Sequence, residues 1–345
     1  MKAVLLRKSE VPDLIGAEVS DVPVPEIDTG ELLVEMKACG LCGTDIEKTQ
    51  GEYTTALPIL GHEAVGVVAS VGEGVVNIRE GDRVFAHHHV PCHECYYCLR
   101  GNQTACRKFR GSNIHPGGFS EFFRVPRWNV SKGGILRLPS SLGFKEASLI
   151  EPVGCCVRAL DKCNVKEGDN VLVVGAGPVG ILHSILLLSR GIKVMISDIS
   201  EPRLQFAEKT KVECVIDAGK QDVTREVRER TEGRGADLVI VASGSPKAVL
   251  QALKSVRTGG RLCLFGVPTK GSVLDYDLSD LYNSEVSLIP SYATTDTETA
   301  AALSLIAADS EKFRPVITHT FPIMEFARAV ETATSGAGMK VVITP

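Results

Sequence analysis

No charge of one sign dominates this chain. Thirty-eight lysines and arginines stand against 42 aspartates and glutamates, a net charge of −4 over 345 residues. That balance gives no electrostatic case for nucleic acid or for an anionic membrane surface. Long hydrophobic runs are missing too. The most apolar stretch, residues 181–188, falls far short of the ~20 residues that span a bilayer. The opening MKAVLLRKSE is interrupted soon after by Glu10 and Asp13. Neither a signal peptide nor an anchor is therefore expected there, and a cytoplasmic location is. Aromatics are sparse at 5%, with one tryptophan, Trp128. There is no internal repeat and no low-complexity tract. What remains is ordinary globular composition, 44% apolar and 23% charged, in a chain long enough to expect two domains.

Cysteine is the exception to this plainness. Eleven are present, and four of them, Cys92, Cys95, Cys98 and Cys106, follow the spacing C-x2-C-x2-C-x7-C. Four thiolates so close in sequence can converge on one tetrahedral ion, and zinc is the expected occupant. Tight Cys-x-x-Cys repeats without an export signal favour metal over disulfides. Cys39, Cys155, Cys156, Cys163, Cys214 and Cys263 mostly sit in apolar contexts, where a free cysteine is usually a small core residue.

Residues 1–154 hold short strand candidates at 3–6, 31–38, 66–71 and 83–88, punctuated by Gly and Pro. They predict a mostly β domain, interrupted at about 90–112 by a cysteine lobe in which metal replaces a hydrophobic core. From 155 the pattern changes. An apolar run at 171–174, the turn Gly175-Ala176-Gly177-Pro178-Val179-Gly180 and an apolar stretch to 188 read as strand, turn, helix. Further strands are expected at 193–198, 214–216, 238–242, 262–265 and 287–291, with helices at 201–210 and 247–256 between them. That alternation predicts right-handed crossovers and a parallel sheet over 155–292. Residues 293–345 are expected to return to the first domain and end in a strand at 340–344.

Three further fragments carry metal-ligand chemistry: Cys39-Gly40-Leu41-Cys42-Gly43-Thr44-Asp45, then Gly61-His62-Glu63, then Glu151-Pro152. Each is weak alone; their order around the cysteine lobe and the glycine turn is specific. With Gly118-Phe119-Ser120-Glu121-Phe122 and the ending Lys340-Val341-Val342-Ile343, the chain resembles the zinc-containing medium-chain alcohol dehydrogenase family over its full length. The resemblance implies an α/β fold, with a GroES-like β domain, a doubly wound Rossmann domain, and zinc, nicotinamide and substrate in a cleft between them. It implies two zincs per chain, one structural and one catalytic, and a homodimer or homotetramer.

By that resemblance Cys42 and His62 bind the catalytic zinc, and Glu63 and Glu151 are its carboxylate candidates. Glu-Pro at 151–152 is similar to the relatives acting on polyols, sugars and threonine. The alternative keeps Cys155 or Cys156 as ligand and Glu151 as a helix cap. Cys42 thiolate, neutral His62, Glu151 and Zn²⁺ sum to a neutral site, so Glu63 is expected to ligate transiently or at rest. Zinc with an open position favours alkoxide from an alcohol, and hydride then leaves for the nicotinamide. Thr44 is the family's proton-accepting hydroxyl. Asp45 is expected to hold His62 by its free ring N–H. Many relatives carry a histidine five residues after the ligand cysteine; Glu47 stands here, so Glu47 or water continues the relay. If the strand at 83–88 continues its alternation, His87 and His89 share a face. His89-x-x-Cys92 resembles the threonine dehydrogenase pattern, in which that histidine approaches substrate. The lobe's four thiolates leave a charge that some of Arg100, Arg107, Lys108 and Arg110 are placed to offset.

The glycine turn follows a strand and opens a helix, the context that makes Gly175, Gly177 and Gly180 a dinucleotide signature. Asp198 ends the next strand, where a carboxylate accepts ribose hydroxyls and repels a 2′-phosphate; NAD is expected. Arg203 nearby keeps NADP as the alternative. The resemblance adds Ser243, Val267 and the Ser291-Tyr292 region along the cofactor, and Lys340 near its pyrophosphate. The predicted activity is NAD- and zinc-dependent oxidation of a secondary alcohol: a polyol, sugar alcohol or threonine-like molecule. Specificity is expected from loops such as 51–57 and 111–116. The competing readings are an NADPH-dependent aldehyde or ketone reductase and a crystallin-like, non-enzymatic dinucleotide binder.

Overall fold

A computed structural model of the chain describes residues 1–8, 15–50 and 60–345; the expected specificity loop at 51–57 lies outside them. The chain divides into two units, Met1–Gly154 with Ala293–Pro345, and Cys155–Tyr292.

The first unit is built on a seven-stranded, mainly antiparallel sheet. Its main path runs Ile317–Pro322, Lys340–Thr344, Leu32–Gly40, Glu63–Val71, Arg83–Ala86, Ile135–Arg137, and Phe122–Val125 also pairs with Leu32–Gly40. Alternation makes the central strand: Leu32, Val34 and Met36 are buried, and Leu33, Glu35 and Lys37 between and after them are partly exposed, the period-2 pattern of a strand with one packed face. The register sets Gly40 opposite Glu63 on one side and opposite Val342 on the other. The chain's last strand thus lies beside the end of the strand that leads into Cys42.

The second unit is a six-stranded sheet, ordered Cys214–Asp217, Lys193–Asp198, Asn170–Val174, Ala236–Val241, Val256–Leu264, Ser287–Pro290. Every neighbouring pair is parallel. Numbered along the chain, that order is 3-2-1-4-5-6, the doubly wound arrangement that opens a ligand crevice at the carboxyl end of its first strand. Asn170–Val174 is apolar almost throughout because both faces are covered. The helix Pro178–Ser189 that follows is buried over most of its length.

One polar residue inside that helix is out of keeping. His183 is fully buried and packs edge-on against Phe265, 4.6 Å between ring centroids, and neither ring nitrogen makes a hydrogen bond. Burial lowers its pKa from 6.5 to about 3. The folded ring stays neutral while the unfolded chain takes up a proton below pH ~6.5. Stability therefore falls as pH drops from 6.5 towards 3, by at most ~1.4 kcal/mol per pH unit from this group. His183→Leu should give a shallower decline of Tm between pH 7 and pH 5 than the parent; parallel declines would show that His183 contributes nothing to acid sensitivity.

Candidate active site

Cys42 follows the strand Leu32–Gly40 and caps the short helix Gly43–Thr49 in an extended conformation. What holds it is Asp45, whose carboxylate is fully buried. One oxygen accepts the Cys42 N–H at 3.2 Å; the other accepts the Gly61 N–H at 3.0 Å and lies 3.4 Å from His62 Nδ1. An acceptor on Nδ1 leaves His62 Nε2 as the atom available to a metal. Gly61 must be glycine, because its φ is +77° and a Cβ there would lie 2.5 Å from the Phe119 nitrogen. Ligand atoms of Cys42, His62 and Glu63 lie within 4.8 Å of one another. Burial pushes His62 towards neutrality, but the charges of Asp45 and Cys42 outweigh it and raise its pKa. Burial also opposes ionisation of Asp45, and His62 outweighs that, so the carboxyl sits below its usual range.

Glu63 is buried, and its Oε1 accepts from Lys340 Nζ at 2.5 Å. Its Oε2 is equally close to that nitrogen but makes no hydrogen bond. A thiolate, an imidazole nitrogen and a carboxylate oxygen lacking a hydrogen bond are a donor set that zinc accepts. Glu151 lies outside this trio. It is buried in the first turn of the helix Ile150–Lys162, and its charge helps keep Lys340 protonated. Cys156 is fully buried, with its thiol 3.8 Å from Val179 O. Thr44 donates its hydroxyl to Cys42 Sγ at 3.4 Å. Glu47 follows one turn later on the same short helix.

The strand expected to reach residue 88 ends at Ala86, so alternation no longer places the histidines. The His88 ring, not that of His89, stands beside His62, with centroids 5.0 Å apart. His89 donates through Nδ1 to Ser112 O at 2.8 Å and packs on Phe109. Burial takes the pKa of His87 to about 3 and of His89 to about 4.

In the cysteine lobe, Sγ–Sγ distances are 3.9 Å for Cys92–Cys98, 3.5 Å for Cys95–Cys98 and 3.6 Å for Cys92–Cys106. Tetrahedral zinc with ~2.3 Å bonds sets its sulfurs about 3.8 Å apart. The lobe is already folded to that size, with Phe109 and Trp128 packed against it.

In the second unit the glycine turn is a cradle that side chains would fill. Gly175 has φ +105°, and a Cβ on Gly180 would lie 1.9 Å from Gly175 O. Gly177 caps the helix with no side-chain bond, and Pro178 and Val179 open it, which leaves backbone N–H groups for a phosphate. Asp198 accepts from Ala176 N at 2.7 Å, Ile199 N at 2.7 Å and Ser200 N at 2.9 Å. The Arg203 guanidinium lies 3.8 Å from Asp198 and 3.9 Å from where a Gly177 Cβ would be. Ser243 packs against Gly266, and Val267 is 40% exposed.

Residues 28–140 match the alcohol dehydrogenase GroES-like domain, and residues 178–308 match the zinc-binding dehydrogenase domain. The chain is 32% identical to the L-threonine 3-dehydrogenase of Bacillus licheniformis, with 100% of this chain and 99% of that protein aligned. The chain belongs to the zinc-containing medium-chain alcohol dehydrogenase family. It is 29% identical to the sorbitol dehydrogenase of Halalkalibacterium halodurans over 95% of each chain. Among solved structures, a zinc-binding dehydrogenase from Sinorhizobium meliloti 1021 bound to NADP superposes with a TM-score of 0.88, at 26% identity over 100% of both chains. The protein is thus an oxidoreductase of the dehydrogenase type, which sets aside the crystallin-like reading.

Lys340, which the resemblance sets near the cofactor's pyrophosphate, is buried in the first unit, with its ammonium bonded to Glu63 and to Leu41 O at 3.1 Å. Burial works against that charge, but Glu63, Cys42 and Glu151 together raise the pKa of Lys340. Sequence reasoning missed why residue 40 is glycine. A Cβ there would lie 1.8 Å from Glu63 Oε2 and 2.8 Å from Lys340 Cε, so the ion pair occupies the space a side chain would take. A glycine near the end of a strand pattern was the available signal. Gly40→Ala should therefore displace the pair and cost ~1–3 kcal/mol, the usual penalty for overpacking, read as a lower midpoint in urea. An unchanged midpoint would show that Glu63 moves aside without cost.

Proposed function

We propose that the protein oxidises a secondary alcohol reversibly with NAD, using a catalytic zinc held by Cys42 and His62 with a carboxylate from Glu63 or Glu151, and a second, structural zinc in the four-cysteine lobe. The observation that carries this reading is Asp45 on His62 Nδ1, with ligand atoms of Cys42, His62 and Glu63 within 4.8 Å of one another. When bound, zinc supplies the Lewis acidity that makes an alcohol hydroxyl acidic near neutral pH, and the nicotinamide accepts the hydride.

The chain's own residues do the rest. Asp45 fixes the His62 ring and the Cys42 backbone. Thr44, already bonded to Cys42 Sγ, is placed to take the alcohol proton, and Glu47 on the same helix continues its path. Lys340 supplies a positive charge beside Glu63. With that charge counted, zinc, the Cys42 thiolate and both glutamates form a neutral group. Similarity to sorbitol and threonine dehydrogenases supports a substrate with more than one polar group.

NAD is favoured by Asp198, a carboxylate at the end of the second strand that would repel a 2′-phosphate. NADP keeps one observation of its own: Arg203 beside the glycine turn, in a fold whose Sinorhizobium neighbour binds NADP. Nicotinamide reduction with secondary alcohols, polyols, sugars, threonine and phosphorylated polyols, each with NAD and NADP, tests the reading. Turnover confined to polyhydroxyl or amino-alcohol substrates with NAD is expected; turnover with NADP alone would overturn the cofactor assignment. Asp198→Ala should lower kcat/KM for NAD by about 10- to 100-fold, the worth of one hydrogen bond to a charged group, and raise it for NADP. Metal analysis should find two zincs per chain. Cys106→Ser should leave one and lower Tm, and a second zinc retained with unchanged Tm would refute the structural role.

A further inference from the structure

Three consecutive imidazoles, His87, His88 and His89, follow the strand Arg83–Ala86, and their surroundings separate them. His87 is 1% exposed, lies against Phe85 and Phe109, and neither nitrogen makes a hydrogen bond. It is a core ring. His89 is anchored: Nδ1 must be the donor to the Ser112 carbonyl, and its ring rests on Phe109. His88 packs on neither phenylalanine. Among the described residues its ring neighbours are imidazoles: His62 at 5.0 Å, His87 at 5.4 Å and His89 at 4.1 Å. Nδ1 is sealed without a partner, while the residue keeps 9% exposure and Nε2 is not among the sealed atoms. An imidazole whose ring makes no hydrogen bond among the described residues, next to a metal-ligand ring, is the kind of polar group that a ligand completes.

We propose that His88 is a specificity-determining residue, and that its Nε2 hydrogen-bonds a hydroxyl on the carbon next to the reacting carbinol, which makes neutral vicinal diols and polyols the substrate class. The inference rests on the zinc dehydrogenase reading above and narrows its substrate. Oxygens on adjacent carbons lie about a hydrogen-bond length, ~3 Å, apart. A substrate whose first oxygen is held beside His62 therefore brings its second oxygen within reach of a ring 5.0 Å away. Among the described residues no carboxylate makes an ion pair with His88, and three imidazole rings crowd it. That setting suits a hydroxyl. A simple secondary alcohol leaves Nε2 without a partner, and loses by it.

The test compares butane-2,3-diol with butan-2-ol in the zinc-loaded enzyme and in three variants. His88→Phe and His88→Leu remove the nitrogens; His88→Gln keeps a hydrogen-bonding group. The parent should prefer the diol at least tenfold in kcat/KM. His88→Phe and His88→Leu should bring that ratio within about twofold of unity, mainly by raising KM for the diol, and His88→Gln should restore part of it. Calorimetric titration of the zinc-loaded, cofactor-free protein with the diol should show the same order of affinities. Equal losses on both alcohols, or a ratio unaltered in the variants, would overturn the role of His88. So would a parent preference for threonine or a phosphorylated polyol that survives His88→Phe. Turnover of no alcohol by the zinc-loaded parent would sink the dehydrogenase reading itself, and this inference with it.

Discussion

The carboxylate of Asp45 is fully buried and touches three separate pieces of the site: the Cys42 amide, the Gly61 amide and the His62 ring. Burying a charge is costly unless donors surround it. Here the donors are the parts that must be fixed. Cys42 leaves the end of one strand and His62 immediately precedes the next. Neither residue lies within a strand, so the sheet alone would leave the thiol and the imidazole free to drift. Asp45 ties both to one atom group, and choosing Nδ1 as its neighbour decides which face of His62 remains reactive.

A second constraint comes from the far end of the chain. Lys340 begins the last strand, which pairs with Leu32–Gly40. That pairing carries an ammonium into the interior, 277 residues in sequence from Glu63, its partner. A buried ion pair of this kind is weak evidence for stability, because desolvation offsets much of the attraction. Its effect here is on charge: the Glu63 carboxylate has a cation beside it, close to Cys42 and Glu151. Gly40 is the steric condition for it, since any side chain there would fill the space the pair occupies.

Much of this was legible in the sequence, for identifiable reasons. The four cysteines announce their own geometry by spacing, and the glycine turn announces a strand and a helix by its steric demands. The strand at 193–198 and the final strand at 340–344 were placed at their observed limits because apolar runs there end at clear polar or Pro boundaries. Strand ends elsewhere depended on tertiary pairing. The strand through Val84 stops at Ala86 because its partner Ile135–Arg137 does, which no local pattern reveals, and the His88 ring beside His62 was not legible for that reason. The burial of Lys340 is hidden from local pattern for the same kind of reason, since it follows from the pairing of the last strand with Leu32–Gly40.

Within the metal set, the two kinds of donor are held differently. Cys42 Sγ accepts the Thr44 hydroxyl, and Asp45 lies beside His62 Nδ1, away from Nε2. Glu63 is contested: its Oε1 is already hydrogen-bonded to Lys340 and its Oε2 lies equally near that ammonium. A carboxylate shared with an ammonium is a poorer donor than a free one, so a metal draws on Glu63 only by loosening it from Lys340. On the zinc reading, Cys42 and His62 would anchor the ion, and Glu63 would reach it only in competition with Lys340. The ion pair across Gly40 would set how strongly Glu63 takes part.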